Sequence, residues 1–142
     1  RITVKFSTDG YGGKTVKESV RIKTNDPNRP WLQVAVKGPV KKFAEIRPER
    51  INFRGAAGET LVAEVEIIPK PDFPFTIKGI RAGKDQFIKY ELTKRCTDSR
   101  NSCLIQVKNI KKDKGRYADV LYIETDSRIK PEIPIYVMGM IN

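Results

Sequence analysis

Thr24-Asn25-Asp26-Pro27-Asn28-Arg29-Pro30-Trp31-Leu32-Gln33-Val34-Ala35-Val36-Lys37-Gly38 and Thr125-Asp126-Ser127-Arg128-Ile129-Lys130-Pro131-Glu132-Ile133-Pro134-Ile135-Tyr136-Val137-Met138-Gly139 are two versions of one pattern. At the offset that carries Thr24 onto Thr125 (125 − 24 = 101), threonine, proline and glycine coincide. Three apolar positions fall in step: Leu32 with Ile133, Val34 with Ile135 and Val36 with Val137. Two more, Val20 with Leu121 and Ile22 with Ile123, precede the turn in both copies. Solenoid repeats recur every ~20–50 residues, so a period this long is the repeat of a domain. It predicts one complete module over 41–142, preceded by the C-terminal strands of an incomplete module over 1–40.

Working outward, nearly every segment alternates apolar and polar residues with period two, the signature of a half-buried strand. Ile2-Thr3-Val4-Lys5-Phe6 alternates, and Val20 and Ile22 oppose Lys17, Ser19, Arg21 and Lys23. Leu61, Ala63, Val65 and Ile67 share one face, with Glu64 and Glu66 on the other. Turn residues punctuate the pattern at 9–13, 25–27, 69–72 and 82–85, where glycine supplies positive φ and Asn or Asp closes a turn through its own side chain. Pro134 inside the last strand, and Pro30 and Pro131 just ahead of theirs, argue for edge positions or strand starts, because proline cannot donate to a ladder. In the complete module strands are expected near 44–47, 51–54, 60–68, 75–81, 86–93, 102–108, 117–124 and 132–138. The alternating faces need a second sheet to cover them. The expected fold is therefore all-β, an immunoglobulin-like antiparallel β-sandwich, with a small barrel as the competing architecture.

The motifs also carry a family resemblance. Ile2-Thr3-Val4-Lys5-Phe6, then Gly12-Gly13, then Val20-Arg21-Ile22-Lys23-Thr24-Asn25-Asp26-Pro27, Pro30 and Val34-Ala35-Val36-Lys37-Gly38 resemble the closing half of a bacterial family of domains of unknown function. That family is related to the Hydin-type ASH and major-sperm-protein-like immunoglobulin-like domains. The second copy departs from the pattern, with Thr125-Asp126-Ser127 in place of the Asn-Asp-Pro turn, although Gly115, Pro131 and Gly139 remain. The opening Ile46-Arg47-Pro48-Glu49-Arg50-Ile51-Asn52-Phe53-Arg54-Gly55 also resembles the family's first strand. The resemblance implies a sandwich that serves as an interaction or structural module with no shared catalytic residue.

Composition bounds the function. The 142 residues are 39% hydrophobic and 32% charged, with a net charge of +11. The first residue is Arg, no signal peptide is legible, and no apolar run approaches the ~18 residues of a membrane span. The chain thus reads as a piece of something longer, without a transmembrane segment. Its positive charge favours nucleic acid or another acidic polymer through non-specific attraction. The plainer account is that Lys and Arg populate the solvent faces of strands and discourage edge pairing.

Candidate chemistry is sparse. The sequence holds no histidine, which removes the commonest general base and zinc ligand. Two cysteines cannot complete a tetrahedral zinc site, and the Gly10–Gly13 segment lacks the Gly-Lys-Ser/Thr ending of a phosphate loop. No catalytic residue, cofactor or metal is expected, and the chain is read as a non-enzyme. Cys96 and Cys103 flank a polar loop, 97–102, at the tip of an expected hairpin. Paired strand ends can bring Cα atoms within the ~5.5 Å that a disulfide prefers, which would imply an oxidising compartment, a periplasm or cell surface. The opposing account is a reduced pair with Cys103 filling the core. The densest basic run, Lys108, Lys111, Lys112, Lys114 and Arg116 around Asp113, is expected at a hairpin tip. It could contact anions, although only Tyr117 adjoins it as a stacking aromatic. Arg47, Arg50 and Arg54 form a looser group.

The expected function is that of a non-enzymatic interaction or structural module of a larger extracytoplasmic protein, with a protein partner. Binding of nucleic acid or acidic polymer through the basic surface is the alternative. Residues 1–40 leave Val4, Phe6, Val20, Ile22, Val34 and Val36 in need of a cover. They fold back on the second module or self-associate with another chain by strand addition.

Overall fold

The computed structural model describes residues 1–96 and 102–142. Its described residues contain no helix and divide into two compact units, Arg1–Lys42 and Phe43–Asn142.

In the first unit, β1 (Thr15–Lys23) and β2 (Trp31–Pro39) pair antiparallel, with Val20 opposite Val34 and Ile22 opposite Leu32. Pro30 ends the connecting turn, and the backbone N–H of Thr24 donates to its carbonyl at 2.9 Å. At the base of the hairpin, Gly13 N–H donates to Val40 O and Val40 N–H to Lys14 O, both at 2.8 Å. Gly10 and Gly13 hold φ of 82° and 78° in the turn that leads in. Ile2–Phe6 alternates like a strand, yet it forms none. Alternation sorts side chains, but a strand also needs a neighbouring backbone to take its N–H and C=O groups.

The second unit holds eight strands: β3 (Ala44–Arg47), β4 (Arg50–Gly55), β5 (Val62–Pro69), β6 (Ile77–Ala82), β7 (Ile88–Lys94), β8 (Cys103–Asn109), β9 (Gly115–Thr125) and β10 (Glu132–Ile141). They form two four-stranded sheets, in the orders β4-β10-β9-β6 and β3-β5-β8-β7. All eight expected strands are present, and the architecture is the immunoglobulin-like sandwich. Pairing is antiparallel throughout except between β4 and β10, which run parallel. Pro134 lies opposite Tyr122, whereas the β4 ladder begins only at Tyr136. β10 is therefore locally an edge where its proline falls.

Alternate residues of both sheets point inward. Val65, Ile67, Ile105, Val107, Leu121, Ile123, Ile135 and Val137 are fully buried between them. Phe43 stacks on Phe75 at 4.9 Å between ring centroids, and Phe73 packs on Phe43 beside it.

Candidate functional site

The two cysteines end neighbouring strands. β7 and β8 pair antiparallel with Leu92 opposite Ile105 and Lys94 opposite Leu104, across an irregularity in register. That pairing brings Cys96 and Cys103 to a Cα separation of 4.6 Å, sulfur against sulfur. Both are buried, and Cys103 also faces Ile67 of β5 within the core. The loop tip at 97–101 lies outside the described residues.

The basic run is not the tip of a hairpin. β8 belongs to one sheet and β9 to the other, so 110–114 crosses between sheets. The reason lies in the flanking apolar positions: Ile105 and Val107 face the core from one side, and Leu121 and Ile123 from the other. The crossover puts Lys108 and Arg116 on different sheets and leaves Lys111, Lys112 and Lys114 in the connection between them. Lys108 stands on β8 between Val62 and Lys89, whereas Arg116 stands on β9 opposite Met140. The Lys111 ammonium sits 4.6 Å from the centroid of the Phe87 ring, a cation–π contact. Lys112 and Lys114 are exposed in the connection itself. Behind them Asn109 is buried: its Nδ2 donates to Lys111 O at 3.3 Å, and its Oδ1 accepts from the Tyr117 hydroxyl at 2.7 Å. Burial, with a smaller push from the Asp119 charge, raises the Tyr117 hydroxyl to about 12.

The looser arginine group also divides. Arg47 pairs with Glu45 at 2.6 Å, and Lys70 reaches the other oxygen of the same carboxylate at 2.6 Å. The Lys70 hydrogen bond and charge, followed by Arg47, hold the Glu45 carboxyl below its ordinary value. Arg50 instead extends over the ring of Tyr136, 6.0 Å from its centroid, on the outward face of the β4-β10-β9-β6 sheet.

That face is the most distinctive surface of the second unit. An ordinary sandwich strand alternates apolar inward and polar outward. Here the central outward positions of β9 and β10 are themselves apolar or aromatic: Ala118, Val120 and Tyr122 on one strand, Pro134, Tyr136 and Met138 on the other, with Arg116, Glu124 and Glu132 at the ends. Tyr136 is 50% and Met138 55% exposed. They line a shallow concavity of about 520 Å³ with Val120, Tyr122, Arg50 and Lys84. Lys84 is placed by Asp119, whose carboxylate is buried and accepts from the backbone N–H groups of Lys84 at 2.9 Å and Asp85 at 3.2 Å. Asp85 has φ of 54°, a left-handed turn conformation that aspartate tolerates better than most residues. At the other end of the face, Arg81 lies over Tyr122 at 4.2 Å and pairs with Glu132 at 2.8 Å. A signal for this face exists in the amino-acid sequence, although strand-by-strand reading misses it. Two adjacent strands carry hydrophobic residues in both phases of their alternation.

Among the described residues no group of three or more His, Cys, Asp or Glu is placed to hold a metal ion, and no helix is long and apolar enough to cross a membrane.

The fold and these surfaces define an all-β, immunoglobulin-like β-sandwich. No family model and no curated protein matches the sequence. Among solved structures the chain is similar to the ASH / PapD-like domain of human CEP192 (PapD-like domain 7), at 16% identity and a TM-score of 0.47, over 70% of this chain and 85% of that one.

Proposed function

We propose that residues 43–142 are a non-enzymatic interaction module that binds a protein partner through the outward face of β4-β10-β9-β6. The observation that carries this is the half-exposed Tyr136 and Met138, set in an apolar concavity beside Arg50 and Lys84. Aromatic residues, Met and Arg are the side chains enriched where proteins meet. A photocrosslinker at Met138 should form discrete protein adducts in the source cells, and Tyr136→Ala should abolish them. The same group at Lys89, on the other sheet, should form none. Equal labelling from both positions would overturn the assignment.

The cysteine geometry supports a disulfide in the mature protein, and with it an extracytoplasmic parent, since such bonds persist in oxidising compartments. Denatured, air-purified protein should contain no free thiol; two thiols per chain would exclude the bond. A competing role in binding nucleic acid or acidic polysaccharide is favoured by the exposed Lys112 and Lys114 and by the net charge of +11. Filter binding over a salt series separates the two roles, because phosphate contacts lose affinity steeply as salt rises.

A further inference from the structure

The β1–β2 hairpin repeats β9–β10 bond for bond. Val20 faces Val34 and Ile22 faces Leu32, as Leu121 faces Ile135 and Ile123 faces Ile133. The turns match as well. Thr24 N–H donates to Pro30 O at 2.9 Å, and Thr125 N–H to Pro131 O at 2.8 Å. Each threonine hydroxyl donates to the carbonyl just before the proline, Arg29 or Lys130, and accepts the N–H two residues on, from Asp26 or Ser127 at 3.2 Å. What differs is the surroundings. β10 has β4 beside it in parallel, β9 has β6 beside it antiparallel, and the second sheet covers their inward side chains. β1 and β2 have no other strand beside them among the described residues; Val16 is buried, yet Leu32 and Val34 are 42% and 44% exposed.

We infer that β1–β2 is the closing hairpin of a further immunoglobulin-like sandwich, completed by strands that precede β1 in the same polypeptide. One runs parallel beside β2 as β4 does beside β10. Another runs antiparallel beside β1 as β6 does beside β9, and a second sheet covers Val20, Ile22, Leu32, Val34 and Val36. The order follows from the repeat, since β3 to β8 all precede β9 in the complete unit. With their connections those strands take up the whole stretch 43–114 ahead of β9, so the completing segment is about 70 residues long. A second copy of residues 1–42 is a poorer occupant. It brings the same two strands and cannot supply both kinds of edge neighbour together with a covering sheet. The inference is independent of what residues 43–142 bind.

Amide hydrogen exchange on residues 1–142 and on the natural polypeptide extended by about 80 residues ahead of Arg1 tests it. In the extended protein, the amides of β1 and β2 that point away from each other should gain at least 100-fold protection. Val34→Lys should leave the melting midpoint of residues 1–142 unchanged and lower that of the extended protein. Lys37→Glu, on the opposite face, should alter neither. Any of three results would overturn the inference: unchanged edge amides on extension, a mature protein that begins at Arg1, or a concentration-dependent dimer of residues 1–142 that Val34→Lys dissolves.

Discussion

β1–β2 and β9–β10 share a register and a turn, yet one is half-exposed and the other forms the centre of a core. Local sequence is therefore enough to specify a hairpin down to its threonine-anchored turn. Burial is a property of what surrounds it. The differences between the copies fall where the complete unit makes contacts that the hairpin alone does not. Asp126 replaces Asn25 and accepts from Thr76 through both its carboxylate oxygens, at 2.7 and 2.8 Å, tying the turn to the segment ahead of β6. Those bonds to Thr76, backbone N–H first, hold the Asp126 carboxyl below its ordinary value. Tyr117 replaces Val16, filling the space beside Gly139 and reaching Asn109.

The largest contrast lies in the apolar pair at the middle of each hairpin. Ile135→Ala should cost the complete unit about 4 kcal/mol, since it opens a cavity in a fully buried site. Val34→Ala should leave that unit's denaturation midpoint where it was. Equal effects would mean that the two hairpins are covered alike. Next come the closing glycines. A Cβ at Gly139 would collide with the Tyr117 ring, whereas at Gly38 it meets nothing within 4 Å. Gly139→Ala should therefore cost about 3 kcal/mol by overpacking and Gly38→Ala almost nothing; urea titration of both variants reads this directly.

Alkaline titration sharpens the comparison at the Tyr117 and Val16 positions. Because folding raises the Tyr117 pKa above its ordinary value of 10.0 to about 12, its stabilising contribution is complete below pH 10. It declines as the pH rises through 12, by about 2 kcal/mol at that point. Tyr117→Phe should flatten this part of the stability profile measured by denaturation at each pH. If the slope between pH 10 and 12 survives the substitution, Tyr117 is not its source. The smallest effect concerns the turns. Thr125→Ala should remove a cap-like pair of hydrogen bonds and lower stability by about 1 kcal/mol. Thr24→Ala should loosen only the first hairpin, seen as faster exchange of the Asp26 amide with no change in the complete unit.

Much of the fold is legible in the amino-acid sequence. The strands of the second unit declare themselves through alternation, and the turn prolines and glycines mark their ends. Ile2–Phe6 departs from that reading because alternation does not name a backbone partner. The crossover at 110–114 escapes it for a related reason. Two consecutive strands read alike whether they are neighbours in one sheet or face each other across two. The outward apolar face is hidden because each of its strands, taken alone, resembles an ordinary buried one.

The sequence by itself determined the repeat, the hairpin geometry within each copy and the all-β class, because register and turns follow from side-chain period and from hydrogen bonds between residues close in the chain. Only the tertiary structure decided which sheet each strand joined, that β4 lies parallel to β10, and that Lys108 and Arg116 stand on different sheets while Arg50, Tyr136 and Met138 converge. Those outcomes depend on contacts between residues far apart in the chain, where the burial of one face is settled by whatever packs against it.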